Sequence, residues 1–120
     1  PSHPGHVLWK RDFTGACGLF SVVLRTNSKA SLAAFIDALE HFGLGVSWGG
    51  YESLAIPFTP GKNCTGARWP HQGQAVRLHV GLEDPQDLID DLQRGLMALS
   101  AHESSLEALQ DAQADQACPT

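Results

Sequence analysis

Residues 75–81, AVRLHVG, show the clearest alternation of apolar and polar positions in the chain. Three valine and leucine residues alternate with Arg77 and His79, which is the period of a β-strand with one buried face. The two basic side chains are therefore expected together on the opposite face. Alternation alone favours a solvated Arg77, since most strand arginines are exposed, over the alternative that it binds an anionic ligand.

Two amphipathic helices are predicted on either side of the central part of the chain. Asn27 or Ser28 can cap the first helix, and Gly43 is expected to end it. The second helix is expected to begin at Asp84 and Pro85, because a carboxylate caps free N–H groups and proline suits the first helical position. Apolar residues recur at three- and four-residue spacing in both. These residues are Leu32, Phe35, Ile36, Leu39 and Phe42 in the first helix and Leu88, Ile89, Leu92, Leu96 and Leu99 in the second, whose opposite face carries Asp87, Asp90, Asp91 and Arg94.

The remaining strands are predicted from β-branched and aromatic composition. Residues 19–25, LFSVVLR, indicate a strand that is apolar on both faces and is therefore expected in the centre of a sheet. Residues 45–57 indicate two short strands joined through Gly49 and Gly50. The absence of side chains at these glycines permits positive φ angles and lets another molecule approach the backbone; the alternative is a hairpin turn without a binding role. Residues 58–74 are rich in glycine and proline and predict a loop.

The order strand, helix, three strands, helix predicts an α/β two-layer sandwich, with a small, mostly antiparallel sheet and helices packed on one face. We expect residues 1–17 to form an extended arm, residues 18–100 to form the domain, and residues 101–120 to be an acidic tail that is frayed or disordered. The other face of the sheet, which carries Arg77 and His79, is expected to lie against another domain.

Composition restricts the class of protein. The chain has 120 residues, of which 42% are hydrophobic and 18% charged, as in a single soluble globular domain. Four acidic residues of the tail account for most of the net charge of -5, and the eight Lys and Arg residues are scattered, so nucleic-acid binding is not expected. No apolar run spans a bilayer and no signal-peptide pattern is evident, which predicts a cytoplasmic protein without a membrane partner.

No metal site is expected from the cysteine and histidine residues. The cysteines at positions 17, 64 and 118 are widely spaced and form no C-x-x-C pair, which indicates reduced thiols. His3 and His6 are close in sequence, but two ligands on a proline-rich segment make a weak site, and we expect them to be loop residues.

Four stretches carry a specific resemblance. Residues 9–15 (WKRDFTG), 18–21 (GLFS), 47–54 (SWGGYESL) and 76–84 (VRLHVGLED) resemble the C-terminal domain of bacterial cystathionine β-lyases. Those enzymes belong to the Cys/Met-metabolism, or transsulfuration, family of pyridoxal 5'-phosphate (PLP) enzymes with the type I fold. The resemblance extends from about residue 1 to about residue 99 and implies that the chain is the small C-terminal domain of such an enzyme, with residues 1–17 coming from the large domain.

The resemblance implies three substrate-binding residues. Arg77 corresponds to the family arginine that binds the substrate α-carboxylate, and Ser47 to the serine beside the same carboxylate. Trp48 is the residue associated with β-lyases, whereas γ-synthases and γ-lyases more often have leucine. Val46 departs from the β-lyase pattern, in which tyrosine is frequent, so this position leaves the fine substrate preference open.

The resemblance also implies a reaction that this chain cannot carry out alone. The parent enzyme would use PLP to cleave L-cystathionine to homocysteine, pyruvate and ammonia. None of Lys10, Lys29 and Lys62 lies in the family's Schiff-base motif. We therefore expect no bound cofactor, no catalytic residues and no activity in this fragment. Its partners would be the large domain and the other subunits of a homo-oligomer, which is a tetramer in the family. Alternatives are another transsulfuration enzyme (cystathionine γ-lyase or γ-synthase) or a non-catalytic amino-acid-binding or assembly module.

Overall fold

Three helices and four strands make up the described part of the chain. The computed structural model describes residues 3–46, 48–59, 69 and 72–116. The elements follow in the order α1 (His6–Asp12), β1 (Leu19–Leu24), α2 (Lys29–Asp37), β2 (Gly43–Leu44), β3 (Leu54–Phe58), β4 (Gln74–His79) and α3 (Pro85–Gln116). From β1 onward this is the predicted order. No helix among these residues is both long and apolar enough to cross a membrane.

The four strands form one mixed sheet with β4 in its interior. The strand order is β1-β4-β3-β2. Strand β4 runs antiparallel to both β1 and β3, whereas the short β2 pairs parallel with β3. Two of these three pairings are antiparallel, so the predicted α/β class with a mostly antiparallel sheet is confirmed. The prediction that β1 is a central strand is wrong, because β1 lies at an edge of the sheet.

The apolar residues of β1 face two different environments. Val22 pairs with Val76, which is fully buried, and Ser21 pairs with Arg77 on the opposite face. Val23, two residues from Ser21, shares that second face and is half-buried. The two-sided apolar pattern of β1 therefore reflects a sheet with apolar residues on both faces, and it does not indicate a central position.

The hydrophobic core lies between one face of the sheet and helices α2 and α3. Strand β4 contributes Val76 and Leu78 to this core, and both side chains are at most 2% exposed. Helix α2 begins as predicted, with the Ser28 hydroxyl accepting from the Ser31 N–H at 3.1 Å, and Asp84 caps α3 by accepting from the Gln86 N–H at 2.8 Å. The buried core residues are Leu24, Leu32, Phe35, Phe42, Ala55, Val76, Leu78, Leu88 and Leu99.

Helix α2 ends earlier than its apolar spacing predicts. The last helical residue is Asp37, and Gly43 belongs to β2 instead of ending the helix. The backbone N–H groups of residues 40, 41 and 42 donate to the Asp91 carboxylate of α3 at 2.8, 2.9 and 3.0 Å. Because these donors bond to a side chain of another helix, they are not available to continue α2.

Asp91 is buried, although its sequence position predicts the exposed face of α3. The side chain has no exposed surface, and the Arg94 guanidinium donates to it at 2.6 Å while also pairing with Glu40 at 3.0 Å. Burial raises the pKa of the Asp91 carboxyl, but the three backbone N–H donors and Arg94 outweigh this effect and lower the pKa to about 2. The carboxylate is therefore a charged structural group that joins α3 to the end of α2.

The N-terminal arm contains a helix, so the expectation that it is extended needs correction. Residues 6–12 form α1, in which the His6 ring stacks on Trp9 at a centroid distance of 5.4 Å. The Trp9 indole N–H donates to the Gly15 carbonyl at 3.1 Å. These local contacts stabilise one helical segment whose residues are all at least partly exposed, and they place His6 in a helix instead of a loop.

The acidic tail continues helix α3 beyond residue 100. The helix extends to Gln116, and residues 117–120 lie outside the described residues. Its like charges four residues apart cost only about 0.2–0.5 kcal/mol per pair, which the good helix propensity of the intervening alanines offsets. His102 also contacts α2, since its Nδ1 lies 3.2 Å from the hydroxyl of buried Ser31.

We expect Asp91→Asn to lower the free energy of unfolding by about 3 kcal/mol, because it removes the charge that three backbone donors and Arg94 share in a buried place. Urea unfolding of the chain measures this. Asp90→Asn is the matched control, since Asp90 is exposed, and a loss of stability equal to that of Asp91→Asn would contradict the proposed role of the buried carboxylate.

The contribution of Asp91 is expected to depend on pH. Because its folded pKa is about 2, below the ordinary value of 3.8, the stabilisation is fully present above about pH 4 and is lost as the pH falls through 2, by about 2 kcal/mol in total. Unfolding of the wild type and of Asp91→Asn at pH 5, 4, 3 and 2 gives the difference between the two proteins. A difference that stays constant over this range would contradict the expectation.

Candidate functional site

The candidate site lies on the face of the sheet opposite the core. The strand register aligns Ser21 of β1, Arg77 of β4 and Ile56 of β3 in one row across this face. Residues paired across strands project from the same side of a sheet, so all three side chains lie opposite Val76 and Leu78. The side chains of β4 alternate between the two faces as predicted, but their burial does not, because His79 on the Arg77 face is only 8% exposed. Val80 follows the strand and is 37% exposed.

Arg77 lines an open cavity of about 340 Å³ at the middle of this face. The other described lining residues are Ser21, Val46, Ile56 and Phe58. Arg77 is half-buried, as are Ile56 and Phe58. A guanidinium is always charged and planar, and apolar walls reduce the water that competes for its hydrogen bonds. The cavity can therefore hold a carboxylate next to an apolar group.

The structure brings one end of the loop between β2 and β3 to Arg77. Val46 lines the cavity, whereas Ser47, the next residue, lies outside the described residues. Trp48 is 86% exposed and does not line the cavity. The predicted strand before Gly49 is not found in residues 45, 46 and 48, and β2 and β3 run parallel, so the connection is not a hairpin.

The same loop is bonded to the end of β4. His79 is only 8% exposed, and its Nε2 lies 3.2 Å from the Gly50 carbonyl oxygen. Its Nδ1 is buried and has no hydrogen-bond partner in the described part of the chain. The expectation that His79 covers a neighbouring domain together with Arg77 therefore needs correction, because this histidine is packed inside the chain's own fold. Gly49 has a φ of 154°, consistent with the conformational freedom predicted there.

A carboxylate that sequence reasoning did not assign completes this connection. Glu83 Oε1 accepts from the Ser53 N–H and Oε2 from the Ser53 hydroxyl, both at 2.7 Å. The Ser53 oxygen in turn accepts from the Gly81 N–H at 2.8 Å. The Ser53 backbone N–H, followed by its hydroxyl, lowers the pKa of Glu83. Neither residue has a periodic signal, so only their presence in the two family-like stretches pointed to them.

The described residues do not fit a Schiff-base site for PLP. A lysine in that role has to be desolvated if its amine is to react. Lys10 on α1 and Lys29 on α2 are both exposed, and Lys62 lies outside the described residues. Within the ranges that the structure covers, no three His, Cys, Asp or Glu residues come together as a metal site either.

The comparisons with known proteins identify the family. The family model described as "Cys/Met metabolism PLP-dependent enzyme" matches residues 1–97. The chain is 50% identical over 105 residues to a putative cystathionine β-lyase of Rhizobium johnstonii, covering 84% of this chain and 26% of the relative. It is 46% identical over 97 residues to a cystathionine β-lyase of Bordetella avium, covering 80% of this chain and 24% of the relative.

A solved structure extends the comparison to the fold. The crystal structure of cystathionine γ-synthase from Xanthomonas oryzae pv. oryzae in complex with cystathionine superimposes with a TM-score of 0.64 at 33% identity, covering 83% of this chain and 27% of that one. The chain thus spans about a quarter of the length of the relatives it matches. Because the family model covers most of its residues, this chain belongs to the Cys/Met metabolism family of PLP-dependent enzymes.

Proposed function

We propose that this chain is the C-terminal, substrate-carboxylate-binding domain of a cystathionine β-lyase, which cleaves the Cβ–S bond of L-cystathionine to give homocysteine, pyruvate and ammonia. The observation that carries the proposal is the position of Arg77, which lines a cavity together with Val46 on the face of the sheet without helices. The identity to two β-lyases, 50% and 46%, supports the choice of reaction.

Arg77 would bind the α-carboxylate of the amino acid. A guanidinium meets a carboxylate through two parallel hydrogen bonds, and such pairs are stronger where water is partly excluded. The half-buried Ile56 and Phe58 beside Arg77 supply that partial exclusion. Holding the carboxylate fixes which bond of Cα stands perpendicular to the cofactor ring, so Arg77 would contribute orientation to the reaction.

Ser47 and Trp48 would complete the substrate site. Ser47 follows Val46 directly, so its hydroxyl is a candidate second donor to the same carboxylate. Trp48 is almost fully exposed, and a large aromatic side chain in that state is typical of a surface that a ligand or partner covers. We assign both as substrate-binding residues on the strength of the family-like stretch that contains them.

The cofactor would be held by a part of the protein outside these residues. PLP, when bound, stores the electrons released at Cα while the Cβ–S bond breaks. The two described lysines are exposed and do not fit the Schiff-base role. We therefore propose that the chain in isolation is inactive, that its Arg77 face lies against a larger PLP-binding domain, and that the whole enzyme is a cytoplasmic homo-oligomer.

A second candidate is another transsulfuration reaction, such as that of a cystathionine γ-lyase or γ-synthase. Val46 favours it, because this residue lines the Arg77 cavity and departs from the tyrosine that is frequent in β-lyases. The likeness to a γ-synthase structure in complex with cystathionine is consistent with either reaction.

Product analysis separates the two candidates. When the whole protein is supplied with PLP and L-cystathionine, we expect pyruvate and homocysteine. β-Elimination breaks the Cβ–S bond, so the sulfur leaves with homocysteine and the three-carbon unit becomes pyruvate. Chromatography of the oxo acids measures this. Formation of 2-oxobutanoate as the main oxo acid would instead assign γ-elimination.

We expect Arg77→Ala in the whole enzyme to lower kcat/KM for L-cystathionine by about 100-fold or more, mainly through KM, because it removes a partly buried charge pair with the substrate. Cofactor absorbance should stay normal. Arg77→Lys should recover only part of the loss, since an ammonium lacks the planar pair of donors. Arg25→Ala, at an exposed arginine after β1, is the control, and an unchanged kcat/KM in Arg77→Ala would exclude the carboxylate role.

A further inference from the structure

The loop that carries Trp48 and the strand that carries Arg77 are joined by a compact set of hydrogen bonds. Residues 50–53 on one side meet residues 79–83 on the other through five contacts. In addition to those of Glu83, Gly81 and His79 described above, the Leu82 N–H donates to the Tyr51 carbonyl at 2.9 Å. We refer to residues 50–53 and 79–83 together as the clasp.

Ser53 is the centre of the clasp and is 1% exposed. Its N–H and hydroxyl both donate to Glu83, and its hydroxyl oxygen accepts from Gly81, so the side chain acts as donor and acceptor between the two segments. Hydrogen bonds to a carboxylate are about twice as strong as those between neutral groups. Glu83 therefore makes the strongest connections within the clasp.

The two segments are also in direct contact at Gly81. A Cβ atom at this position would lie 2.3 Å from the Tyr51 carbonyl oxygen and 2.7 Å from the carbonyl carbon of Glu52. The absence of a side chain lets the loop backbone lie directly on the turn after β4. The clasp thus sets the separation of the two segments as well as their alignment.

The position of the clasp relates it to the substrate-binding residues. Trp48 is two residues before Gly50 and five before Ser53, whereas Arg77 is two residues before His79 on β4. Ser53 leads directly into β3, the neighbour of β4, so the C-terminal end of the loop is held on both sides. A loop held in this way has few alternative positions relative to Arg77.

We propose that Glu83 is a positioning residue, which acts through Ser53 to hold the Trp48 loop at the distance from Arg77 that binding of an amino-acid carboxylate requires. The kinetic part of this inference rests on the proposed function, whereas its structural part does not. Displacement of a binding group by about 1 Å can reduce catalysis by about 100-fold, so a residue outside the cavity can have a measurable effect on substrate binding.

The test compares Glu83→Gln with the wild type in the whole enzyme. Glutamine has one acceptor oxygen and an NH₂ group that faces the Ser53 donors, so it satisfies only one of the two bonds. We expect hydrogen–deuterium exchange of residues 48–54 to become faster by about tenfold or more. KM for L-cystathionine should rise about tenfold while kcat changes by less than about threefold, because ground-state positioning is lost and the chemistry is not.

Three further variants make the result specific. Glu83→Asp keeps the charge but is one methylene shorter, so it should show a smaller effect in the same direction. Ser53→Ala keeps the backbone donor and loses the hydroxyl, and it should also be intermediate. Asp87→Asn removes a nearby exposed charge without touching the clasp and should match the wild type. Unchanged exchange of residues 85–99 of α3 shows that each variant is folded.

The outcomes separate this inference from the proposed function. The inference is overturned if residues 48–54 of Glu83→Gln exchange hydrogen for deuterium at the wild-type rate. It is also overturned if they exchange faster while KM stays within twofold of the wild-type value. If the wild type releases no oxo acid from L-cystathionine, the proposed function fails, and the exchange at residues 48–54 by itself decides whether Glu83 holds the loop.

Discussion

The core and the candidate binding face both follow from the antiparallel pairing of β4 with β1 and β3. It places Val76 and Leu78 under α2 and α3, and the same pairing directs Arg77 to the other face between Ser21 and Ile56. Because the side-chain period of a strand is two, a shift of one residue in this register would bury Arg77 in the core and expose Val76. The burial of the core residues and the exposure of the candidate binding group are therefore one constraint.

Two carboxylates then determine where the segments around the sheet lie. Asp91 holds the N–H groups that follow α2, and Glu83 holds the N–H and hydroxyl of Ser53 just before β3. In both cases an acid from a later element bonds to the backbone of an earlier loop, which leaves the loop donors satisfied without regular secondary structure. The first connection stabilises the core side of the fold, and the second stabilises the side that carries Arg77.

Membership of a PLP-dependent family is consistent with a chain that offers a candidate binding group, Arg77, but no fitting lysine among its described residues. The matched region corresponds to about a quarter of the relatives' length, and in the described residues both lysines are exposed. Substrate orientation and cofactor chemistry can be divided between parts of one protein, because a carboxylate that takes no part in the bond cleavage needs only a rigid partner at the right distance.

The elements with strong local signals could be predicted from the order of residues alone. The alternation in β4, the Ser28 and Asp84 caps and the order of elements from β1 onward follow from side-chain period and capping chemistry, which act over a few residues. The resemblance in the stretches around Ser47 and Arg77 identified the family. The helix at residues 6–12 and the continuation of α3 beyond residue 100 were missed, because their apolar periodicity is weak.

Long-range packing sets which strand lies at the edge, where α2 ends, and which polar side chains bond to distant loops. Asp91, Glu83 and His79 have the same local pattern as exposed side chains, and the loop groups to which they bond are 29 to 51 positions away in the chain. A pattern read over a few residues contains no information about such partners. These contacts depend on the packing of elements that only the folded chain brings together.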